Sequence, residues 1–276
     1  MTPLMSAPSH VDQVSVARRR KKVPTLYETD ESKYVGPHRW QIQLWARAAR
    51  RAFRWHAYTR WAEQSFERIE GVNLEALDQI EGPCVFVANH QSHLDTVLVD
   101  QVLPSAVRDR LYYGAAQDRW FIKGRKKLVL KPWYQSLALG TFPILRGGGR
   151  KALSYAHWLL GKRRHVFLFP EGTRAQGDEL GEFKPGAILL ALEHNIPVVP
   201  IYLAGLKDIR PKGSREAGRG VVGVEVLPPI LFSPGSDLEH ATAQVRRRMN
   251  DVHRKWTAAQ PAAETVETPV PPQVAA

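Results

Sequence analysis

Cys84-Val85-Phe86-Val87-Ala88 runs straight into Asn89-His90-Gln91-Ser92-His93-Leu94-Asp95, so apolar sequence gives way to polar within one step. An apolar run of this length, closed by Asn and followed by a helical pattern over 94–103, predicts a buried strand entering a helix through a tight turn. The same grammar recurs outward from it. Short apolar runs at 111–115, 141–145, 165–169, 198–204 and 221–227 alternate with helical patterns at 120–139, 150–161, 186–194 and 237–256. Strands separated by helices of ten or more residues predict an α/β domain: a layered mixed sheet, partly parallel, flanked by helices.

The flanks read differently. Residues 1–36 hold Pro, Ser and the run Arg18-Arg19-Arg20-Lys21-Lys22, which predicts a disordered basic arm, and 257–276 reads as a disordered tail. Between the arm and the α/β domain expected over 72–256, residues 37–71 predict an amphipathic helical segment. There Arg39, Arg47, Arg50, Arg51 and Arg54 recur on one side, and Ile42, Trp45, Ala49, Ala52 and Phe53 on another. Arg with interleaved Trp fits a membrane interface; an ordinary helix packing its apolar side on the domain is the competing reading.

A formal charge of +12 over 276 residues suits an anionic partner. The absence of helix-turn-helix, zinc-finger and RNA-recognition signatures argues against nucleic acid. A single cysteine, Cys84, excludes an intrachain disulfide and fits a reducing compartment. With no signal-peptide pattern and no run near the ~20 apolar residues that span a bilayer, the expectation is a cytoplasmic protein, peripheral on the inner face of the cell membrane.

The turn after residue 88 carries the chemistry. Ser92 is placed to cap the following helix with Asp95 three residues on, and Asp95 lies beneath His90 in the first helical turn. A carboxylate there fixes the imidazole tautomer and stabilises the imidazolium formed when His90 takes a proton from an alcohol. An activated thioester electrophile then needs no covalent enzyme intermediate, and free N–H groups at the helix start offer oxyanion donors. Other readings stay open: Asp95 as a cap only, His90 as a turn histidine, or His90 and His93 as part of a metal site. A second strand ends in Phe169-Pro170-Glu171-Gly172-Thr173-Arg174, where Gly172 permits a tight turn, Thr173 offers a hydroxyl and Arg174 a bidentate fork for phosphate. A third ends in Arg146 before three glycines. The stretch 111–131 interleaves Arg119, Lys123, Arg125, Lys126, Lys127 and Lys131 with Trp120 and Phe121, either an anion site or a solvated face.

Together these segments resemble the 1-acylglycerol-3-phosphate acyltransferase (PlsC-like) family. Asn89, His90, Ser92 and Asp95 match its N-H-x-S-x-x-D motif, and Gly140, Phe142 and Arg146 match its second. Residues 169–174 match F-P-E-G-T-R, with Lys184 in the following Phe-Lys-Pro-Gly, and 196–201 resembles the last motif. The resemblance covers 82–229 and implies an acyltransferase domain with His90 and Asp95 as catalytic pair. It implies Arg146, Glu171, Gly172, Thr173 and Arg174 near the acceptor's phosphate. The implied reaction moves a fatty acyl group from acyl-CoA or acyl-carrier protein to a lysophospholipid at an anionic membrane surface, with no cofactor or metal. Pro143 and Pro185 depart from the family pattern and leave a different lipid or glycolipid hydroxyl as the alternative acceptor.

Overall fold

The computed structural model describes residues 39–121, 126–128, 131–145, 152–174, 177, 179–209 and 218–259. The arm expected over 1–36, Arg146 with the glycines after it, Lys123, Arg125 and most of the tail lie outside the described residues. In chain order the elements are α1 (Leu44–Ser65), β1 (Phe66–Val72), β2 (Val85–Ala88), α2 (Asp95–Val102), α3 (Ser105–Arg108), β3 (Leu111–Ala116) and α4 (Gln117–Trp120). Then come α5 (Pro132–Tyr134), β4 (Thr141–Ile144), α6 (Ser154–Gly161), β5 (His165–Leu168), α7 (Gly186–His194), β6 (Val198–Ala204), α8 (Leu206–Ile209), β7 (Gly220–Val226) and α9 (Leu238–Ala259).

The strands form one seven-stranded sheet in the order β1-β7-β6-β2-β5-β3-β4. Every neighbouring pair is parallel except β6–β7. Parallel strands are covered on both faces, which is why β2 is apolar without alternation. Its side chains still divide by face: Phe86 and Ala88 pack with α1 and α2, whereas Val85 and Val87 pack with α6, α7 and α9. Truncating a fully buried ring such as Phe86 to Ala costs roughly 3–5 kcal/mol.

Two expectations need correction. The first is the helical segment over 37–71. Its helix ends at Ser65, and Phe66–Val72 is an edge strand parallel to β7, so the sheet begins before residue 72. The helix also buries two of its arginines, on a stripe that cuts across both expected sides: Phe53 packs on the core while Arg51 is exposed. Its buried stripe is Ala46, Arg50, Arg54, Tyr58, Ala62 and Ser65, while Leu44 and Trp55 are 78% and 75% exposed and Ala49 and Ala52 point outward. Arg50 donates to the carbonyls of Gln41 and Leu137, and Arg54 donates to that of Leu139 at 2.6 Å while pairing with Asp100 at 3.2 Å. These partners replace the water that a buried guanidinium gives up.

The second is the single helix expected over 120–139. Helix α4 stops at Trp120. A new start at Pro132, which has no N–H to donate and suits a first helical turn, leads into a π-helical turn, Gln135–Leu139. Gly140, at φ 67°, ends that turn in the left-handed region. A Cβ at Gly140 would lie 2.9 Å from Arg54 Nη2 and 3.0 Å from Arg50 Nε, so the two arginines need glycine there.

Candidate active site

β2 and β5 lie side by side, and their connections leave in opposite directions. β2 continues through α2 to β3 on one side, and β5 through α7 to β6 on the other. The crevice opens where such crossovers part, at the carboxyl ends of the two strands. The two loops in question are the sequence motifs 89–95 and 169–174.

His90 leaves the end of β2 with its Nδ1 2.6 Å from Asp95 Oδ2. Asp95 is wholly buried at the first residue of α2. Its carboxylate also accepts from the backbone N–H groups of Gln91 (2.9 Å) and Ser92 (2.8 Å). Burial pushes the Asp95 carboxyl above the ordinary carboxylate range, and the His90 contact and the two N–H donors pull against that push. With Nδ1–H donating to Asp95, Nε2 carries the lone pair toward the cavity that His90 lines. The ring stacks on Phe169 with centroids 4.2 Å apart. Asn89 fixes the base of the turn by exchanging two hydrogen bonds with the backbone of Leu203 in β6.

One detail differs from the reading of the turn as a capping box: the helix starts at Asp95 and not directly after Ser92. The acidic residue does reach back to the Ser92 N–H. That reach-back engages the N–H groups of Gln91 and Ser92, so neither is an oxyanion donor. His93 turns to the edge of Trp120, and no cluster of three or more potential metal ligands occurs among the described residues.

The loop after β5 supplies the rest. Gly172 is left-handed at φ 69°, and a Cβ there would meet Lys184 Nζ at 2.8 Å, so the lysine lies across the glycine. Thr173, Arg174 and Lys184 line, with His90, a cavity of about 900 Å³. Its walls are mostly apolar, including Val97, Ile144, Leu153 and Leu168. Glu171 is the motif residue that the structure does not turn into this cavity. It is buried, accepting from the backbone N–H of His90 at 2.9 Å and of Gly181 at 3.2 Å. Burial raises its carboxyl above the ordinary range against those two donors.

Residues 68–204 match the family model described as Acyltransferase. These residues form an Acyltransferase-family domain. A chloroplastic 1-acyl-sn-glycerol-3-phosphate acyltransferase of Brassica napus is 33% identical over 73% of this chain and 57% of its own length. The human alpha enzyme of that name is 31% identical over 63% of this chain and 59% of its own length. The chain therefore spans somewhat over half of each of these two relatives. The crystal structure of the 1-acyl-sn-glycerophosphate acyltransferase PlsC from Thermotoga maritima shares the fold, with a TM-score of 0.60, 21% identity, and coverage of 79% of this chain and 81% of its own.

Residues to which the sequence assigns no role in the site also shape it. Tyr58 and Trp61 of α1 line the cavity, so the helix set apart as a membrane segment is part of the site wall. Gln91 accepts from the Leu206 N–H, and Arg246 of α9 donates to the carbonyls of Leu180 and Gly181. Nothing in the local sequence marks either role, because each depends on a partner many residues away.

Proposed function

We propose that the protein is an O-acyltransferase that moves a fatty acyl group from acyl-CoA or acyl-carrier protein to the free hydroxyl of 1-acyl-sn-glycerol-3-phosphate. The observation that carries this is the 2.6 Å His90–Asp95 contact opening into an apolar cavity that also holds Arg174 and Lys184. His90 Nε2 takes the hydroxyl proton as the alcohol oxygen attacks the thioester carbonyl. The tetrahedral adduct collapses, the C–S bond breaks, and the imidazolium returns the proton to the leaving thiolate. Asp95 holds the tautomer throughout. No acyl-enzyme and no cofactor enter, because the thioester brings its own activation. Gly172 shapes the loop that holds Thr173, Arg174 and Lys184 against the acceptor's phosphate, with Arg146 as a further phosphate contact.

A lysolipid resides in the membrane, so we place the protein peripherally on the inner face of the cell membrane. Leu44, Trp45 and Trp55 on the outer side of α1 meet the lipid, and Trp61 stands between that face and the cavity. No helix among the described residues is long and apolar enough to cross a membrane. The test is direct. Purified protein, an acyl thioester and 1-acyl-sn-glycerol-3-phosphate should yield the diacyl product by mass spectrometry, and His90→Ala should not. Thioester consumption without diacyl product, or full turnover by His90→Ala, would sink the proposal.

A further inference from the structure

Glu171 sits inside the motif that the family resemblance assigns to the acceptor's phosphate, yet its geometry points elsewhere. A carboxylate is acceptor-only when ionised and repels a phosphate. Here both of its oxygens are already engaged by main-chain donors, one on each side of the site. One donor is the N–H of His90 itself. The other is the N–H of Gly181, in the loop that returns from Arg174 toward Lys184. The same Gly181 offers its carbonyl to Arg246 Nε at 3.1 Å, and Leu180 offers its carbonyl to Arg246 Nη2 at 3.3 Å. An unbroken hydrogen-bonded path thus runs from α9 through the 180–181 peptides and Glu171 to the backbone of His90. Gly181 is sized for it, since a Cβ there would stand 3.0 Å from Glu171 Oε2.

We propose that Glu171 is a positioning residue that holds the main chain of His90, with Gly181 and Arg246 as its buttress, and that it does not bind the acceptor. The imidazole is then fixed at three points. Asp95 holds Nδ1, Phe169 covers the ring face, and Glu171 anchors the backbone from which the side chain departs. Phe169 and Glu171 flank Pro170, so the end of β5 grips both ring and backbone of a residue carried by β2. Buried two-point acceptance of this kind fits placement of a base within a few tenths of an ångström, the tolerance that general-base transfer demands. This inference rests on the acyltransferase reading for its kinetic arm alone.

The experiment compares Glu171→Gln, Gly181→Ala and Arg246→Gln with Arg174→Gln. Gln at 171 keeps one acceptor oxygen and turns an amide donor toward an N–H, so one of the two bonds is lost. The expected result in Glu171→Gln is a kcat lowered about tenfold to a hundredfold, equivalent to about 1.4–2.7 kcal/mol of barrier, with acceptor KM within twofold of wild type. Hydrogen–deuterium exchange across residues 89–95 should rise. Gly181→Ala and Arg246→Gln should move the same two quantities in the same direction by less, which covers the case in which Glu171→Gln folds poorly. Arg174→Gln should instead raise acceptor KM and leave exchange over 89–95 unchanged. A rise in acceptor KM with kcat intact in Glu171→Gln, or unchanged exchange there, overturns the proposal. If the wild-type chain shows no transfer at all, the functional reading falls, while the exchange comparison still decides the role of Glu171.

Discussion

Replacing Arg54 by Leu tests the burial of the arginine-bearing stripe of α1. Arg54 is 3% exposed, pairs with Asp100 at 3.2 Å, and donates to the carbonyl of Leu139. Leu fills part of the volume but leaves Asp100 buried without its closest cation. Breaking a buried pair from one side costs about 3–5 kcal/mol. Arg108, at 3.7 Å from the other carboxylate oxygen and partly exposed, retains some compensation, so the lower end, about 3 kcal/mol, applies. For a domain of this size that is a Tm loss of roughly 6–12 °C. Burial already raises the Asp100 carboxyl, with Arg54 and Arg108 opposing the rise. Removing Arg54 lifts it further. A carboxyl whose folded-state pKa lies above its unfolded value of about 4 binds protons more readily when folded, so its penalty is full at neutral pH and shrinks as pH falls through the folded-state value. The deficit of Arg54→Leu relative to wild type should therefore narrow on acidification, and adding Asp100→Leu should recover much of it at pH 7. Differential scanning calorimetry at several pH values reads all three. A Tm change below about 1 °C in Arg54→Leu at pH 7 would mean that the guanidinium is solvated and that this stripe of α1 is not buried.

Asp95→Asn should lower turnover on the order of 10²–10⁴-fold with little change in either KM, because it removes the carboxylate that fixes the His90 tautomer; steady-state kinetics checks this, and near wild-type kcat would refute it. Cys84→Ala should keep most activity, since Cys84 is fully buried and burial pushes its thiol far up, and intact-mass spectra with donor alone should show no adduct. Arg174→Lys should raise the acceptor's KM more than the donor's, because Lys keeps the charge and loses the bidentate fork; equal effects would assign Arg174 to the donor or the fold. Trp45→Ser with Trp55→Ser should reduce flotation with anionic vesicles at low and high salt alike, whereas loss only at high salt in the wild type would give the docking to charge rather than to the exposed rings.

The strands that build the site were legible because burial on both faces leaves a local trace. The apolar runs at 84–88, 111–115 and 198–204 each fall within a residue of β2, β3 and β6 at either end. The His90–Asp95 contact was legible too, because the two are near neighbours whose spacing alone brings them together. Arg50 and Arg54 were not. Their partners are the carbonyls of Leu137 and Leu139, more than eighty positions away, and an arginine stripe reads alike whether it meets water or orphan carbonyls. β1 was hidden because Glu67, Arg68 and Glu70 give it the charge of an edge strand, and Phe66 and Ile69 continue the helical spacing before it. The partners of Glu171, the N–H groups of His90 and Gly181, leave no trace in its motif, because a motif records which residue is present and not which way it turns.

The parallel pairing of β1 with β7 bears on how the molecule assembles. Phe66 lies beside Gly220, so the strand made early in synthesis waits for a partner made some 150 residues later. Until β7 arrives, β1 has no sheet to join, and contacts of such long sequence separation slow folding. The same pairing governs where the chain tolerates trimming. A cut at residue 72 would remove β1 along with α1 and bare the apolar stretch Val221–Val226 as an open edge, a template for strand addition between molecules. Removal of residues before Arg39 leaves that edge covered. Insolubility after deletion of the first 72 residues would thus report the bared sheet edge together with the core face that α1 covers, and not the loss of a membrane anchor.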